Sequence, residues 1–380
     1  MWSSLVVAIG AVGAVGAANV VTGGDTTSTT LIGTTTTEVS GTTTVPPTST
    51  TTTLVSKPST ITLSAVGDTE LGDSPRVPAN PIAYFAPVKA ALAAPIVFGN
   101  LEGTLTSATD AKCVPGDPLC FAFRVPTTFA RVYRSVGFTV LNSANNHSHD
   151  FGTEGLLQTS AALRAAGIAQ AGLPGQIAVV REGTTRVAFV DFAPYFNTNN
   201  LLNYGVEHQL IARARRMAQV VVVYMHAGAE GSNADHVTRG SEYYVGENRG
   251  NPYLFAHDAI NDGADLVIAS GPHVLRGMEW YHGHLIAYSL GDFANYENFA
   301  ASGDLVLSGI LHVTLAATGS FVSGTFTSVR LSSIGQTFVD RTHASANFVN
   351  TLSREDFGRQ AAIIQPSGTI RFTSSRVSEG

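Results

Sequence analysis

The chain has 380 residues, of which 44% are hydrophobic and only 13% charged, and its formal net charge at pH 7 is −6. This length is sufficient for one large domain or two ordinary ones. The acidic balance, together with the lack of a basic run or an aromatic stacking ladder in the sequence, argues against a nucleic-acid partner.

The first 22 residues predict an export signal or a membrane anchor. The run LVVAIGAVGAVGAANVV has the length of a signal-sequence core and ends in small residues that suit cleavage. It is short and glycine-rich for a membrane span, but no Lys or Arg precedes it, so an uncleaved anchor stays open. We therefore expect an extracellular or cell-surface protein that lies close to the membrane through its N-terminus.

Residues 23–58 form a Thr-rich stretch with Pro that contains few large apolar residues. Such a composition cannot bury a core and predicts a disordered, solvated linker. We expect the folded domain at residues 59–340 and a C-terminal extension at 341–380.

Strand and helix patterns alternate along the expected domain. Runs typical of strands are TITLSAVGD, PIVFGNLEG, FTVLN, IAVVREG, TRVAFVDFA, QVVVVYMHAG, DLVIAS and the pair around Gly283 in RGMEWYHGHLIAYSL. Helical spacing is found in residues 81–93 and 153–166 and in the segments TTFARVYRSVG, EHQLIARARRMA and NPYLFAHDAINDGA. This alternation, with some hairpins, predicts an α/β fold with mixed sheets.

The two cysteines, Cys113 and Cys120, lie in one short loop, DAKCVPGDPLCF. The sequence has no CxxC motif, which argues against a zinc knuckle. In an exported protein this pair predicts a local disulfide that stabilises the fold by roughly 2–3 kcal/mol. In a cytosolic protein the two residues would be free thiols.

Five predicted strands end in polar residues that could form one site. These residues are Asp68, Asn100 with Glu102, Asn146 with His147, His226, and His273. Side chains at the carboxyl ends of strands in α/β proteins point into the crevice where ligands bind. Carboxylate, amide and imidazole groups together suit a divalent ion such as Mn²⁺, Fe²⁺ or Zn²⁺. Each residue alone could be a cap, a turn residue or a core histidine, but their joint placement favours a site.

The motifs AVGDTELG, FGNLEGTLT, FTVLNSANNHSHDFG, VVVVYMHAG and LVIASGPHV occur in this order between about residues 60 and 300. This series resembles the CapA-type capsule synthesis proteins, which are associated with poly-γ-glutamate capsules and belong to the calcineurin-like metallophosphatase superfamily. The resemblance implies a four-layer α/β sandwich, with two mixed sheets flanked by helices and the metal site at the strand ends.

The resemblance also implies a role for each residue of the site. The implied metal ligands are Asp68, Glu102 as the bridging carboxylate, Asn146, His226 and His273. His147 would face the substrate as a catalytic group, held by Asp150. Asn100, beside Glu102, and Arg124 are the candidate substrate contacts, and a surface position for Arg124 is an equal alternative.

Two positions depart from the superfamily pattern. Glu70 stands where a His usually follows the first Asp, and Gly271 stands where the last motif has its first His. For this reason the sequence is compatible with a site that binds either one metal ion or two. His149 could compensate for a missing ligand or face the solvent.

Two functions compete at this point. The first is a metal-dependent hydrolase or transferase in which water activated by the metal attacks a phosphoester or an amide. The second is a non-catalytic scaffold that binds an anionic cell-envelope polymer or its synthesis machinery. The intact ligand set favours the enzyme, and the two missing imidazoles favour the scaffold.

Overall fold

The computed structural model describes residues 59–114, 117, 120–297 and 302–372, so the predicted export segment and the Thr-rich linker lie outside the described residues. The strands of the first half are β1 (Thr60–Glu70), β2 (Ile96–Leu101), β3 (Thr104–Leu105), β4 (Arg124–Val125), β5 (Val140–Asn142), β6 (Ala169–Ala171), β7 (Ala178–Glu182), β8 (Thr185–Phe192) and β9 (Val220–His226). The strands of the second half are β10 (Tyr243–Tyr244), β11 (Glu247–Asn248), β12 (Leu266–Ser270), β13 (Met278–Tyr281), β14 (His284–Ala287), β15 (Asp292–Asn295), β16 (Leu307–Ala316), β17 (Phe321–Leu331), β18 (Thr337–Val339), β19 (Ala362–Ile364) and β20 (Ile370–Phe372).

The helices alternate with the strands in chain order. They are α1 (Pro81–Tyr84), α2 (Lys89–Leu92), α3 (Phe129–Val136), α4 (Gly152–Ala166), α5 (Tyr204–Met217), α6 (Pro252–Asn261) and α7 (Ala344–Phe357). The predicted helix at 81–93 is two short helices, because Pro87 lies between them and cannot donate a backbone hydrogen bond to a continuous helix. The other predicted helices and strands are confirmed.

Two large mixed sheets form the centre of the fold. The first sheet has the order β18-β17-β16-β1-β2-β5-β6, with β15 also pairing with β1. In it β1 runs parallel to β2 and antiparallel to β16. The second sheet has the order β13-β14-β12-β9-β8-β7, with parallel central strands and antiparallel edge strands.

Three hydrophobic clusters show how the layers stack. Leu63 and Phe98 of the first sheet pack against Val222 and Ile268 of the second, so one core lies between the sheets. The outer face of the first sheet is covered by α3 and α4, and that of the second by α5 and α6. Because apolar residues occupy both faces of each sheet, both sheets must be covered on both sides. The predicted four-layer sandwich is confirmed.

The C-terminal part of the chain packs into this fold. Val349 of α7 and Ile364 of β19 are buried in the core between the sheets. The amide of Asn350 donates to the backbone of Ile364 at 2.8 Å and ties the helix to the strand pair that follows it. Residues 344–364 therefore help to close the central core.

Two further observations concern the predictions made for membrane contact and cysteine chemistry. Cys113 and Cys120 form a disulfide with their Cα atoms 5.5 Å apart, as predicted. Within the described ranges, no helix has both the length and the apolar character needed to cross a bilayer.

Candidate metal centre

Four side chains converge where β1, β2 and β12 end and β15 begins. Asp68, Glu102, His273 and Asp292 each offer one ligand atom, and these four atoms lie within 4.8 Å of one another. His273 Nδ1 is 2.7 Å from Asp292 Oδ1 and 3.7 Å from Asp68 Oδ2. Three carboxylates and an imidazole at this spacing are a ligand set for a divalent cation.

Glycine allows the two aspartates to come together. The amide of Asp68 donates to the carbonyl of Gly291 at 3.1 Å, and Asp68 pairs in register with Asp292 on the parallel strand β15. A Cβ atom at Gly67 would lie only 1.8 Å from that carbonyl oxygen, so no larger residue fits without moving one strand. The Gly–Asp sequence at the end of β1 therefore has a steric cause.

The turn after β12 places His273. Its φ angle is +59°, a left-handed conformation that is uncommon for a residue with a side chain. Such strain is retained where surrounding contacts impose it. Here the ion pair with Asp292 holds the imidazole toward the cluster.

The protonation behaviour of the cluster reflects crowded negative charge. Burial raises the pKa of Asp68 to about 6, and the Asp292 carboxylate adds to this shift while His273 opposes it. Burial and then the Asp68 carboxylate raise the pKa of Glu102 well above its usual range. Burial alone would lower the pKa of His273, but Asp292 and Glu102 hold it well above its ordinary value. A divalent ion would relieve this repulsion.

Two buried oxygens supply an independent test of whether the site fits a metal. Within the part of the chain that the structure describes, no hydrogen-bond partner reaches Glu102 Oε1 or Asn146 Oδ1. A buried acceptor without a partner is costly, and metal coordination is one way to satisfy it. The four residues therefore fit a divalent metal, and Asn146 on the cavity wall stays a predicted further ligand.

An amide network fixes the back of the cluster. Asn100 Nδ2 donates to Asp68 Oδ1 at 2.7 Å, and Asn100 Oδ1 accepts from Asn142 and Asn145 at 2.6 and 2.8 Å. The Ser270 hydroxyl also donates to Asp68. Asn100 is fully buried, so the structure places this predicted substrate contact behind the metal ligands, where it orients Asp68.

His226 lies beside the four-residue cluster and is fully buried. Its Nε2 is 3.8 Å from Glu102 Oε1 and 3.4 Å from Nη2 of Arg249. Burial, followed by the Arg249 charge, lowers the pKa of His226 well below its ordinary value, so the imidazole is neutral. The structure thus brings this predicted ligand to Glu102 but also to a guanidinium.

His147 and Asp150 form a buried pair next to the cluster. His147 Nδ1 is 2.8 Å from Asp150 Oδ2, which also accepts from the amide of Phe123 at 2.7 Å. Lys112, carried by the disulfide loop, lies 2.6 Å from Asp150 Oδ1 and donates to the Asn146 carbonyl at 3.0 Å. Burial lowers the pKa of His147, and the Asp150 carboxylate partly opposes this shift.

A cavity of about 580 Å³ opens in front of these groups. Its wall includes Asn146, His147, Glu230, Arg249 and His273 from the site. Exposed apolar side chains at its edge are Phe121, Phe196 and Val245. The cavity is large enough to bind a small molecule or one segment of a polymer.

Three other residues considered from the sequence differ in their position relative to this cavity, and His149 alone among them lines it. Arg124 donates to the carbonyl of Ala108 and stacks over the Phe151 ring at 5.0 Å, away from the cavity wall. Glu70 is buried and accepts from the amide of Gly72 at 2.6 Å, outside the four-residue cluster. His149 is half-buried on the cavity wall.

The sequence reasoning did not identify Asp292, Glu230 or Arg249. A signal for Asp292 existed, because the apolar run LIAYSLGD ends in an aspartate just as AVGD does. Glu230 and Arg249 lie in the segment after β9, where neither strand nor helix periodicity marks them. Only the folded loop brings them to His226.

Comparison with known proteins gives a family. The family model described as "Bacterial capsule synthesis protein PGA_cap" matches residues 62–297, more than half of the chain. Similar proteins include the PGA biosynthesis protein CapA of Bacillus subtilis (strain 168), 28% identical over 59% of this chain and 59% of that protein. The capsule biosynthesis protein CapA of Bacillus anthracis is 26% identical over 47% of this chain and 45% of that protein. The chain thus matches less than two thirds of the length of these relatives.

A solved structure also aligns with the chain. The 5'-nucleotidase precursor from Thermus thermophilus aligns with 15% identity and a TM-score of 0.40, covering 80% of this chain and 60% of that one.

Proposed function

The chain belongs to the bacterial capsule synthesis protein family, and from this membership we propose that it is an exported, metal-dependent hydrolase or transferase acting on an anionic cell-envelope polymer. One observation carries the catalytic part. His273 of the four-residue cluster and His147 of the His147–Asp150 pair line the same cavity. The names of the relatives, which refer to PGA and capsule biosynthesis, support the polymer as substrate class.

The residues available to hold the metal are Asp68, Glu102, His273 and Asp292, with Asn146 at the cavity wall. A divalent ion, Mn²⁺, Fe²⁺ or Zn²⁺, would supply Lewis-acid polarisation of a phosphoryl or carbonyl oxygen and activation of water. Asn100 and Ser270 hold the Asp68 carboxylate in place from behind.

His147 is the proton-transfer group of this proposal. A carboxylate can only accept, so the contact with Asp150 places the imidazole proton on Nδ1 and leaves Nε2 to accept a proton. Burial lowers the pKa of His147, which keeps Nε2 unprotonated near neutral pH. Nε2 is then able to take a proton from the attacking group and return it to the leaving group.

A non-catalytic polymer-binding role is the alternative. It is favoured by Glu70 and Gly271, which occupy positions where the superfamily pattern has imidazole ligands. A scaffold of this kind would bind the polymer in the cavity but would not catalyse a reaction.

Metal content and turnover of the purified full chain test the proposal. Elemental analysis is combined with chromogenic phosphate monoesters and diesters and with the chain length of added poly-γ-glutamate. We expect bound divalent metal and turnover of a phosphoester or an amide. His147→Asn should keep the metal and lose about 10²- to 10⁴-fold in rate, whereas Asp68→Asn should lose the metal.

His208→Asn is the matched control, because His208 is an exposed histidine whose carboxylate partner, Asp262, lies 2.7 Å away outside the site. This variant should have the same metal content and the same turnover rate as the parent. Bound metal with no turnover of either substrate class, together with retention of the polymer, would favour the scaffold and reject the enzyme.

A further inference from the structure

Arg249 is a buried cation inside the candidate metal centre. Its side chain is 1% exposed, and its Nη1 atom forms an ion pair with Glu230 Oε1 at 2.6 Å. Glu230 Oε2 lies 3.7 Å from Nε2 of His273, one of the four clustered ligands. The guanidinium is therefore placed at the edge of the cluster, where it contacts Glu230 and the His226 imidazole.

The contact with His226 determines what that imidazole can do. Nη2 of Arg249 is 3.4 Å from His226 Nε2 and 3.5 Å from the carbonyl oxygen of Gly271. A guanidinium only donates and carries a positive charge, so Arg249 occupies the side of Nε2 on which a metal ion would be bound. Asn100 Nδ2, also a donor, lies 3.3 Å from Nδ1 at the other side of the ring. A metal ion at Nε2 would therefore have to displace the guanidinium.

The surroundings of Nη2 are those expected for a second metal position. Glu102 Oε1, which has no hydrogen-bond partner among the described residues, lies 3.8 Å from His226 Nε2. Glu102 also belongs to the four-residue cluster, as a carboxylate shared between two cation positions would. A cation bound beside this oxygen would lie close to His226 Nε2, and Arg249 supplies a positive charge next to that nitrogen.

Gly271 allows the chain to pass close to the His226 imidazole. Its φ angle is +111°, and a Cβ atom at this position would lie 3.1 Å from His226 Nε2. A side chain here would be strained and would crowd the imidazole. Glycine at this position supplies no nitrogen ligand and leaves the His226 imidazole uncrowded, and its carbonyl lies 3.5 Å from Arg249 Nη2.

We propose that the centre holds a single divalent ion, bound by Asp68, Glu102, His273 and Asp292, and that the guanidinium of Arg249 takes the place of a second ion. This inference rests on the proposed function, because it requires the metal site to be real. Arg249 then stabilises Glu102 and Glu230 and offers a positive charge to an anionic group bound in the cavity, which its planar donors suit.

Electron paramagnetic resonance of the full chain loaded with Mn²⁺ tests whether the centre holds one ion or two, and it needs no substitution. An isolated Mn²⁺ ion gives a six-line spectrum, whereas two ions that share a carboxylate give a coupled multiline spectrum. We expect the six-line spectrum and a stoichiometry of about one equivalent. A coupled spectrum with about two equivalents would overturn the inference while leaving the metal site and the proposed function intact.

Two substitutions at the same position provide the matched pair. Arg249→Met keeps much of the length of the side chain and removes its charge, so we expect the stoichiometry to rise from about one to about two equivalents of Mn²⁺. Arg249→Lys keeps a positive charge and should remain at about one equivalent. One equivalent in both variants, or loss of all metal from a folded Met variant, would overturn the inference.

The remaining outcome concerns the proposed function. If the unsubstituted chain binds no Mn²⁺, Fe²⁺ or Zn²⁺ after reconstitution, both the metal centre and the role of Arg249 are rejected together. Turnover measurements are not needed for any of these results.

Discussion

Single residues in the centre combine burial with charges of the same sign. Asp68 and Glu102 are each 2% exposed, and Asp292 is 4% exposed. Because water cannot screen charges at such positions, one carboxylate changes the proton affinity of the next, as seen for Asp68 beside Asp292. A divalent cation would offset the repulsion between these carboxylates.

Asp292→Asn tests whether Asp292, which was not predicted from the sequence, is a metal ligand. The change keeps the shape of the side chain and removes a negative charge, so we expect Mn²⁺ affinity to fall at least about 10- to 100-fold. Isothermal titration of the full chain with Mn²⁺ measures the effect. Asp110→Asn, at an exposed carboxylate, is the control and should bind as the parent does. Unchanged affinity for Asp292→Asn would remove this residue from the ligand set.

At the scale of elements, the site depends on how closely two strands approach. β1 runs antiparallel to β16 over its first half and parallel to β15 at its end, with a register shift between Asp68 and Thr69. The change of partner turns the end of β1 toward β15. Strand ends from both sheets meet at this point, because Ser270 of β12 also reaches Asp68.

Gly67→Ala should disturb this approach. The added methyl group would lie 1.8 Å from the Gly291 carbonyl, so β15 must move and carry Asp292 with it. We expect a loss of about 1–3 kcal/mol in the free energy of unfolding, together with weaker Mn²⁺ binding. Urea unfolding and metal titration measure the two effects.

Gly240→Ala is the matched control, because a Cβ atom at Gly240 meets nothing within 4 Å. Its free energy of unfolding and its Mn²⁺ affinity should equal those of the parent. If Gly67→Ala also leaves both unchanged, the close approach of β1 and β15 does not hold the aspartates together.

For the molecule as a whole, stability depends on a buried acid far from the metal centre. Glu207 of α5 is 1% exposed, and burial, with smaller contributions from Asp258 and Asp262, raises its pKa from 4.5 to about 9. The native state therefore binds a proton that the unfolded chain releases above pH 4.5. The stability contributed by protonated Glu207 is complete below about pH 4.5 and is lost as the pH rises toward about 9.

Glu207→Gln should remove this dependence. The amide stays neutral, so the variant should exceed the parent in stability by an amount that grows from pH 5 to pH 8 and is about 3 kcal/mol at pH 7. Urea unfolding of both proteins at pH 5, 6.5 and 8 measures the difference. A difference that does not vary with pH would show that Glu207 is ionised in the native state.

Local patterns along the chain were sufficient to predict most of the elements and an α/β class with mixed sheets, whereas the four-layer sandwich and the family were predicted from the resemblance of the ordered motifs. Strand and helix patterns can be identified in this way, since alternation and burial of apolar residues depend on neighbours in the sequence. The parallel strands of a sheet end at a common edge, which allowed Asp68, Glu102, His226 and His273 to be grouped from the sequence. The Cys113–Cys120 pairing was predictable because both residues share one short loop.

Which side chains meet was settled by tertiary packing. The contact of Arg249 with His226, the placement of Asn100 behind Asp68, and the position of Arg124 outside the cavity all depend on loop paths and on the stacking of two sheets. Helix α7 enters the core for the same reason, because its buried face matches a gap formed by strands distant in the sequence. Such contacts join residues far apart along the chain, and no local pattern encodes them.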